Sequence, residues 1–267
     1  MRDITFDTTR IALSIAAVVV AVTAPLAAEE RGESPWEVSV GAGVALSPRY
    51  EGSDEMRVSP VPMVRVVWND RIYLTVPEEL GVTLYDNRDI EASIGVGYDF
   101  GRDESDDDAL RGLGDIDRAP TVNAAIEYGV GPITTGLSAK RYVGGSDGLE
   151  VELEIEGRIP LGRRGGRSEP RPAITPGVMI EWGDDDYMDS YFGIDAEQAA
   201  RSGVERYDAE AGFKSVGGSV AFMYPLGARL FGNVSLEYSR LIGDAADGPI
   251  VRDENRYVAA LLVMYRF

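Results

Sequence analysis

The sequence predicts an all-β protein, a transmembrane antiparallel up-and-down β-barrel of about twelve strands with long external loops and short periplasmic turns. Three observations predict it. Apolar and polar residues alternate with a period of two along most of the chain, an export leader precedes them, and the final strand is aromatic.

The leader comes first. Arg2 and Arg10 precede a largely apolar run from Ile11 to Val22, followed by Pro25, Leu26, Ala27 and Ala28. A basic start, a short apolar core and small residues make a secretory signal peptide, with cleavage expected after Ala28. The run falls short of the roughly 20 apolar residues of a spanning helix. Residues 1–28 are thus expected to be a signal peptide, and residues 29–267 an outer-membrane barrel.

The first strand sets the pattern. Trp36, Val38, Val40, Ala42, Val44 and Leu46 alternate with Glu37, Ser39, Gly41, Gly43, Ala45 and Ser47. Such a period places one face against an apolar medium and the other against a polar one. The spans expected from this alternation are 36–47, 57–68, 71–77, 80–85, 89–100, 120–129, 132–142, 149–159, 173–182, 214–224, 228–240 and 256–267. The eighth is the most informative. Leu149, Val151, Leu153 and Ile155 alternate with Glu150, Glu152, Glu154 and Glu156. Four carboxylates on one strand face need water, so they are candidate lumen-facing residues. The connectors alternate too: tight turns such as 69–70 and 225–227 on one side, and longer segments such as 101–119 and 183–213 on the other. Trp36, Trp68, Trp182, Tyr98, Tyr128, Tyr224, Tyr238 and Phe267 fall near expected strand ends, where rings settle at a lipid–water interface.

The last strand puts Tyr257, Ala259, Leu261, Val263, Tyr265 and Phe267 on one face. Tyr265 and Phe267 match the C-terminal signal read by the outer-membrane assembly machinery. A soluble extracellular sandwich also accounts for the leader and the turns, and accounts less well for this ending.

Composition excludes several functions. There is no Cys and no His, so disulfides, thiolate metal sites and Ser-His or Cys-His catalysis are absent. Only Lys140 and Lys214 remain for a Ser-Lys mechanism, and neither sits in a nucleophile motif; no enzyme and no cofactor are expected. Net charge is −19, with 45 acidic and 26 basic residues, which repels nucleic acid. Acidic runs at 103–117 and 184–189 read as solvated loops, with divalent-ion binding or bridging to lipopolysaccharide phosphates as the sharper alternative. The basic turn carrying Arg163, Arg164, Arg167 and Arg171 is a candidate periplasmic contact.

Four segments carry a resemblance: Ser47–Asp54 (SPRYEGSD), Gly112–Asp117 (GLGDID), Tyr187–Gly193 (YMDSYFG) continuing through Gln198, Ala199, Ala200, Ser202, Gly203 and Tyr207, and Ser239–Val251 leading into the closing strand. In this order they resemble the MipA/OmpV family, the MltA-interacting outer-membrane proteins. The resemblance implies a scaffold linking a lytic murein transglycosylase to a bifunctional penicillin-binding murein synthase. A porin-like passive channel with an acidic, cation-preferring lumen is the alternative, and no catalytic residues carry over.

Overall fold

The computed structural model describes residues 34–162 and 171–267. The expected signal peptide lies outside them. The wall is one sheet of β1 (Trp36–Pro48), β2 (Met56–Trp68), β3 (Ile72–Val76), β4 (Glu79–Asp86), β5 (Ile90–Asp99), β6 (Ala119–Val130), β7 (Ile133–Tyr142), β8 (Leu149–Gly157), β9 (Ile159–Pro160), β10 (Ala173–Gly183), β11 (Gly212–Pro225), β12 (Leu230–Leu241) and β13 (Asn255–Arg266). Every pairing is antiparallel. β8 and β9 both pair with β10 and act as one interrupted wall strand, which brings the barrel to the expected twelve. β13 pairs with both β12 and β1, so the sheet closes and leaves no free pair of edge strands.

Which way the side chains point settles the medium. Val58 is 69% exposed, Leu84 62%, Val178 57% and Leu236 53%, whereas Ser59, Thr83, Thr175 and Glu237 are all below 9%. A water-soluble sandwich buries the first set and exposes the second; this wall does the reverse, as a barrel in lipid must. The soluble alternative is thereby set aside. No helix among the described residues is long and apolar enough to cross a membrane, so the crossing is made by strands.

Turns and loops segregate by end. Among the described residues the connections at the end holding Trp36 and Phe267 are tight; Asn69 (φ 52°) and Asp70 (φ 53°) form one of them. At the opposite end the long connections fold into structure that alternation does not reveal: α1 (Asp185–Phe192), α2 (Ala196–Ser202), α3 (Asp244–Asp247) and two single-turn 3-10 helices at Glu104–Asp106 and Asp108–Leu110. Trp36 and Trp68 meet at 6.1 Å at the end near the termini, and Tyr238 and Tyr257 at 5.2 Å toward the loop end. These pairs fit aromatic girdles at two interfaces.

Candidate functional site

The site is the upper lumen and the cap of loops above it. Along β8 the leucine face turns out, with Leu153 and Ile155 41% and 44% exposed. Of the carboxylates that alternate with it, Glu150 has the partners. Glu150 accepts from the Tyr142 hydroxyl (3.1 Å) and faces Lys214 Nζ at 2.7 Å. Glu152 stands level with Glu181 of β10, and Glu154 and Glu156 lie beside Gly177 of the same strand. Glu237 on β12 pairs with Arg256 of β13 at 3.3 Å. The inner wall is therefore rich in acid with a few cations set into it.

Lys214 is the chief of these, and its position comes from a bulge. Glu181 pairs with Ser215 but Trp182 with Phe213, so Lys214 is the extra residue in β11. A bulge lets two consecutive side chains face the same way. Phe213 stays out, 56% exposed, while Lys214 and Ser215 both turn in, each 1% exposed. The ammonium then reaches Glu150 (2.7 Å), Glu51 (3.0 Å), Glu181 (3.6 Å) and the Tyr187 hydroxyl (3.1 Å). Ser215 donates to Glu181 at 2.5 Å. Glu150 and Glu181 belong to the wall, Glu51 to the first loop and Tyr187 to α1, so one lysine ties cap to barrel. Sequence reading weighed Lys214 only as a nucleophile's partner and did not find this role.

The cap has its own apolar core. Tyr187, Met188, Tyr191 and Phe192 of α1 pack with Tyr142, Ala209, Leu241 and Ala245. A second cluster joins Tyr50, Leu110, Leu113, Ile194 and Ile250. Long-range hydrogen bonds stitch the loops together. Tyr50 donates to the Ile250 carbonyl (2.8 Å), Arg102 to the Tyr191 carbonyl (2.8 Å), Gln198 to the Leu113 carbonyl (2.9 Å) and Arg201 to the Gly112 carbonyl (3.1 Å). The four sequence segments that carry the resemblance converge here.

The loop carboxylates mostly terminate backbone. Asp184 accepts from the N–H groups of Leu149 and Tyr187, Asp107 from Ala109, Glu104 from Gly112 and Gly114, and Asp195 from Gln198 in a capping box. Each satisfies donors that a helix start or tight turn leaves orphaned. Among the described residues no three carboxylates are grouped to hold a metal ion. Burial pushes the Tyr50 hydroxyl up to about 12, and lifts Tyr187 and Tyr191 well above the usual phenol range, so these groups remain neutral donors.

The remaining candidates lie at the other end. Tyr265 and Phe267 meet edge to face at 5.0 Å, and Phe267 donates its N–H to the Val38 carbonyl at 3.0 Å. Arg163, Arg164 and Arg167 lie outside the described residues; Arg171 is partly buried just before β10.

Comparison with known proteins places this architecture. YiaT of Escherichia coli (strain K12), described as an outer membrane protein, is 25% identical over 236 residues, covering 86% of this chain and 91% of its own. Among solved structures, the KdgM porin aligns with a TM-score of 0.41 at 9% identity, covering 86% of this chain and 99% of its own. The outer membrane channel DcaP of Acinetobacter baumannii aligns at 0.38 and 9%, covering 87% and 96%. With its apolar wall turned outward, the barrel is an outer-membrane protein, in contact with the lipid and lipopolysaccharide of that membrane. The family model for MltA-interacting protein MipA matches residues 40–267, nearly all of the barrel, and the chain belongs to the MipA family.

Proposed function

We propose that this barrel is a non-enzymatic outer-membrane scaffold that holds a lytic murein transglycosylase near a bifunctional murein synthase. The cap is the observation that carries this reading. Two apolar clusters and the Lys214 knot hold the loops across the outer mouth, an investment that a standing diffusion pore does not require. The family's name adds MltA as an interacting partner, and the absence of His and Cys removes the usual nucleophile–base pairs. The periplasmic turn with Arg163, Arg164, Arg167 and Arg171 offers positive charge to a partner on that side. Affinity capture from crosslinked envelopes tests the proposal: it predicts recovery of a murein hydrolase and a murein synthase with the mature barrel, and recovery of neither defeats it.

A second reading has one specific observation in its favour. The inner row Glu150, Glu152, Glu154 and Glu156, with Glu181 and Glu237 beside it, suits a cation-preferring channel. Bilayer conductance separates the two. Steady cation-selective currents that shrink in the fourfold Glu→Gln variant favour the channel, and silence favours the scaffold.

A further inference from the structure

A cavity of about 30 Å³ lies where the cap meets the rim of the barrel, and four arginines line it. Arg49 follows β1, Arg57 belongs to β2, Arg102 follows β5 and Arg256 stands near the start of β13. Two acids, Glu51 and Asp106, share the lining with Ser47, Tyr50 and Tyr191. In a chain with 45 acidic and 26 basic residues, this surplus of guanidinium around one void runs against the composition.

Charge is matched almost everywhere in the lining. Arg49 meets Glu55 at 2.9 Å, Arg57 meets Asp106 at 3.7 Å and Arg256 meets Glu237 at 3.3 Å. Glu51 is held by Lys214 at 3.0 Å, so each lining acid has its cation. Arg102 is the exception. Its guanidinium donates to two carbonyls, Tyr191 at 2.8 Å and Ser190 at 3.5 Å. Among the described residues it makes no ion pair, and its Nε finds no hydrogen-bond partner.

The local chain is shaped to put this side chain inside. Gly101 takes φ 67°, and a Cβ there would collide with the Ile116 carbonyl. The Arg102 and Ile116 backbones then exchange hydrogen bonds at 3.0 and 2.8 Å, and the side chain turns in beside α1, 6% exposed. Capping the last carbonyls of α1 is one part of its work, since a cation is favoured at a helix C-terminus. The helix end offers only about half a negative charge against a whole positive one. Burial accordingly lowers the Arg102 pKa from the usual guanidinium value.

The void beside Arg102 sets the ligand. Its volume exceeds the roughly 10–15 Å³ that one water needs, so a group of a few heavy atoms fits and a sugar ring does not. One unbalanced positive charge calls for one negative charge, and guanidinium nitrogens match the oxygens of a carboxylate. Arg49 is the most exposed of the four arginines, at 40% of its side chain, and marks the side on which the cavity meets water.

We propose that this cavity is a carboxylate-binding pocket, in which the head of a small organic acid supplies the counter-ion that Arg102 lacks. The proposal stands independently of the scaffold reading, and its test involves no murein enzyme.

NMR of isotope-labelled acetate, added to the mature barrel in detergent micelles at constant chloride and compared with empty micelles, tests it. Saturable line broadening is expected, displaced by formate and not by methylammonium. Arg102→Gln is expected to weaken binding at least about tenfold, the worth of one charge-assisted hydrogen bond. Arg111→Gln, on the outer surface with its side chain 79% exposed, is expected to leave binding unchanged. Ser47→Leu fills the cavity while the Arg102 bonds to α1 stay in place, and is expected to abolish binding. It separates a ligand site from an anchor for α1, and it decides the matter alone if Arg102→Gln loosens the loops. Heat-modifiable gel migration and protease resistance of residues 184–211 report whether barrel and cap are folded in each variant. Broadening that never saturates, equal losses in Arg102→Gln and Arg111→Gln, or full binding by Ser47→Leu would overturn the pocket.

Discussion

Lys214 Nζ lies 2.7 Å from Glu150 Oε1, a contact made between adjacent regions of the inner wall and shared with Glu51 and Tyr187 of the cap. The lysine is 1% exposed, and its three carboxylate neighbours are between 5% and 14% exposed at the side chain. At such burial a charge survives only with its partners in place. The knot therefore joins two things that sequence keeps far apart, the strand that lines the lumen and the loops that cover it.

Replacing Lys214 by Met leaves Glu51, Glu150 and Glu181 facing one another without their shared cation. Breaking a buried pair from one side typically costs about 3–5 kcal/mol. The loss is expected to fall on the cap, because the strand ladders around β11 remain paired on both sides. Limited proteolysis of residues 184–211 is expected to accelerate while the folded barrel band persists on a gel. Unchanged protease resistance would show that the apolar clusters hold the cap alone.

The two faces of β8 provide a paired test of orientation. An arginine at Leu153, which is 41% exposed on the outer face, is expected to cost about 2–4 kcal/mol if the site lies near the bilayer midplane. An arginine at Glu154, one residue along and facing in, is expected to be tolerated or mildly stabilising among so many acids. Urea unfolding in vesicles measures both. Equal costs at the two positions would contradict a wall with lipid outside and water inside.

The strands were legible because a lipid-facing wall enforces strict alternation, and the expected spans fall close to the observed ones, as for 120–129 against Ala119–Val130. The outward turn of Leu153 and Ile155 on β8, 41% and 44% exposed, was legible for the same reason. The Lys214 knot was not: a bulge breaks the parity that made everything else readable, and its partners Glu51 and Tyr187 lie 163 and 27 residues away. The cap helices were missed because α1 and α2 span only eight and seven residues, and the acidic run 184–189 that opens α1 read as a solvated loop. Their signal was present in the caps, Asp184 three residues before Tyr187 and Asp195 three before Gln198, the spacing of an N-cap and a capping box.

The cap is expected to loosen in strong alkali. Tyr50 has its hydroxyl pushed from 10.0 up to about 12 by burial, and it must be neutral to donate to the Ile250 carbonyl. A group whose folded pKa is raised contributes its full stability below the unfolded value and loses it as pH climbs through the folded one. The contribution is thus complete below pH 10.0 and fades toward about 12. Tyr187 and Tyr191 shift in the same direction, so they reinforce the effect. Tyrosinate absorbance and protease sensitivity of the loops, followed together, should rise in the same window. Tyr50→Phe should weaken the cap at neutral pH by about 1 kcal/mol, the net worth of one hydrogen bond.

Removal of Phe267 tests the closing strand. Its N–H pairs with the Val38 carbonyl at 3.0 Å and its ring packs on Tyr265 at 5.0 Å, so it contributes to the seam where β13 meets β1. Deleting it is expected to slow assembly in the presence of the barrel-insertion machinery more than it lowers equilibrium stability in vesicles. Equal effects on both would assign it to seam packing alone.

Asp195→Ala tests whether the cap behaves as one body. Asp195 accepts from the Gln198 N–H at 2.7 Å while Gln198 returns a contact to the Asp195 N–H at 2.8 Å, so the substitution removes the capping box of α2 at a cost of about 1 kcal/mol. Gln198 also donates to the Leu113 carbonyl at 2.9 Å, and Leu113 packs with Tyr50, Leu110, Ile194 and Ile250. If those contacts couple the loops, hydrogen exchange should quicken not only in Ala196–Ser202 but also around Leu110 and Leu113. Exchange confined to α2 would mean that the helix frays alone and that the neighbouring loops hold their arrangement without it.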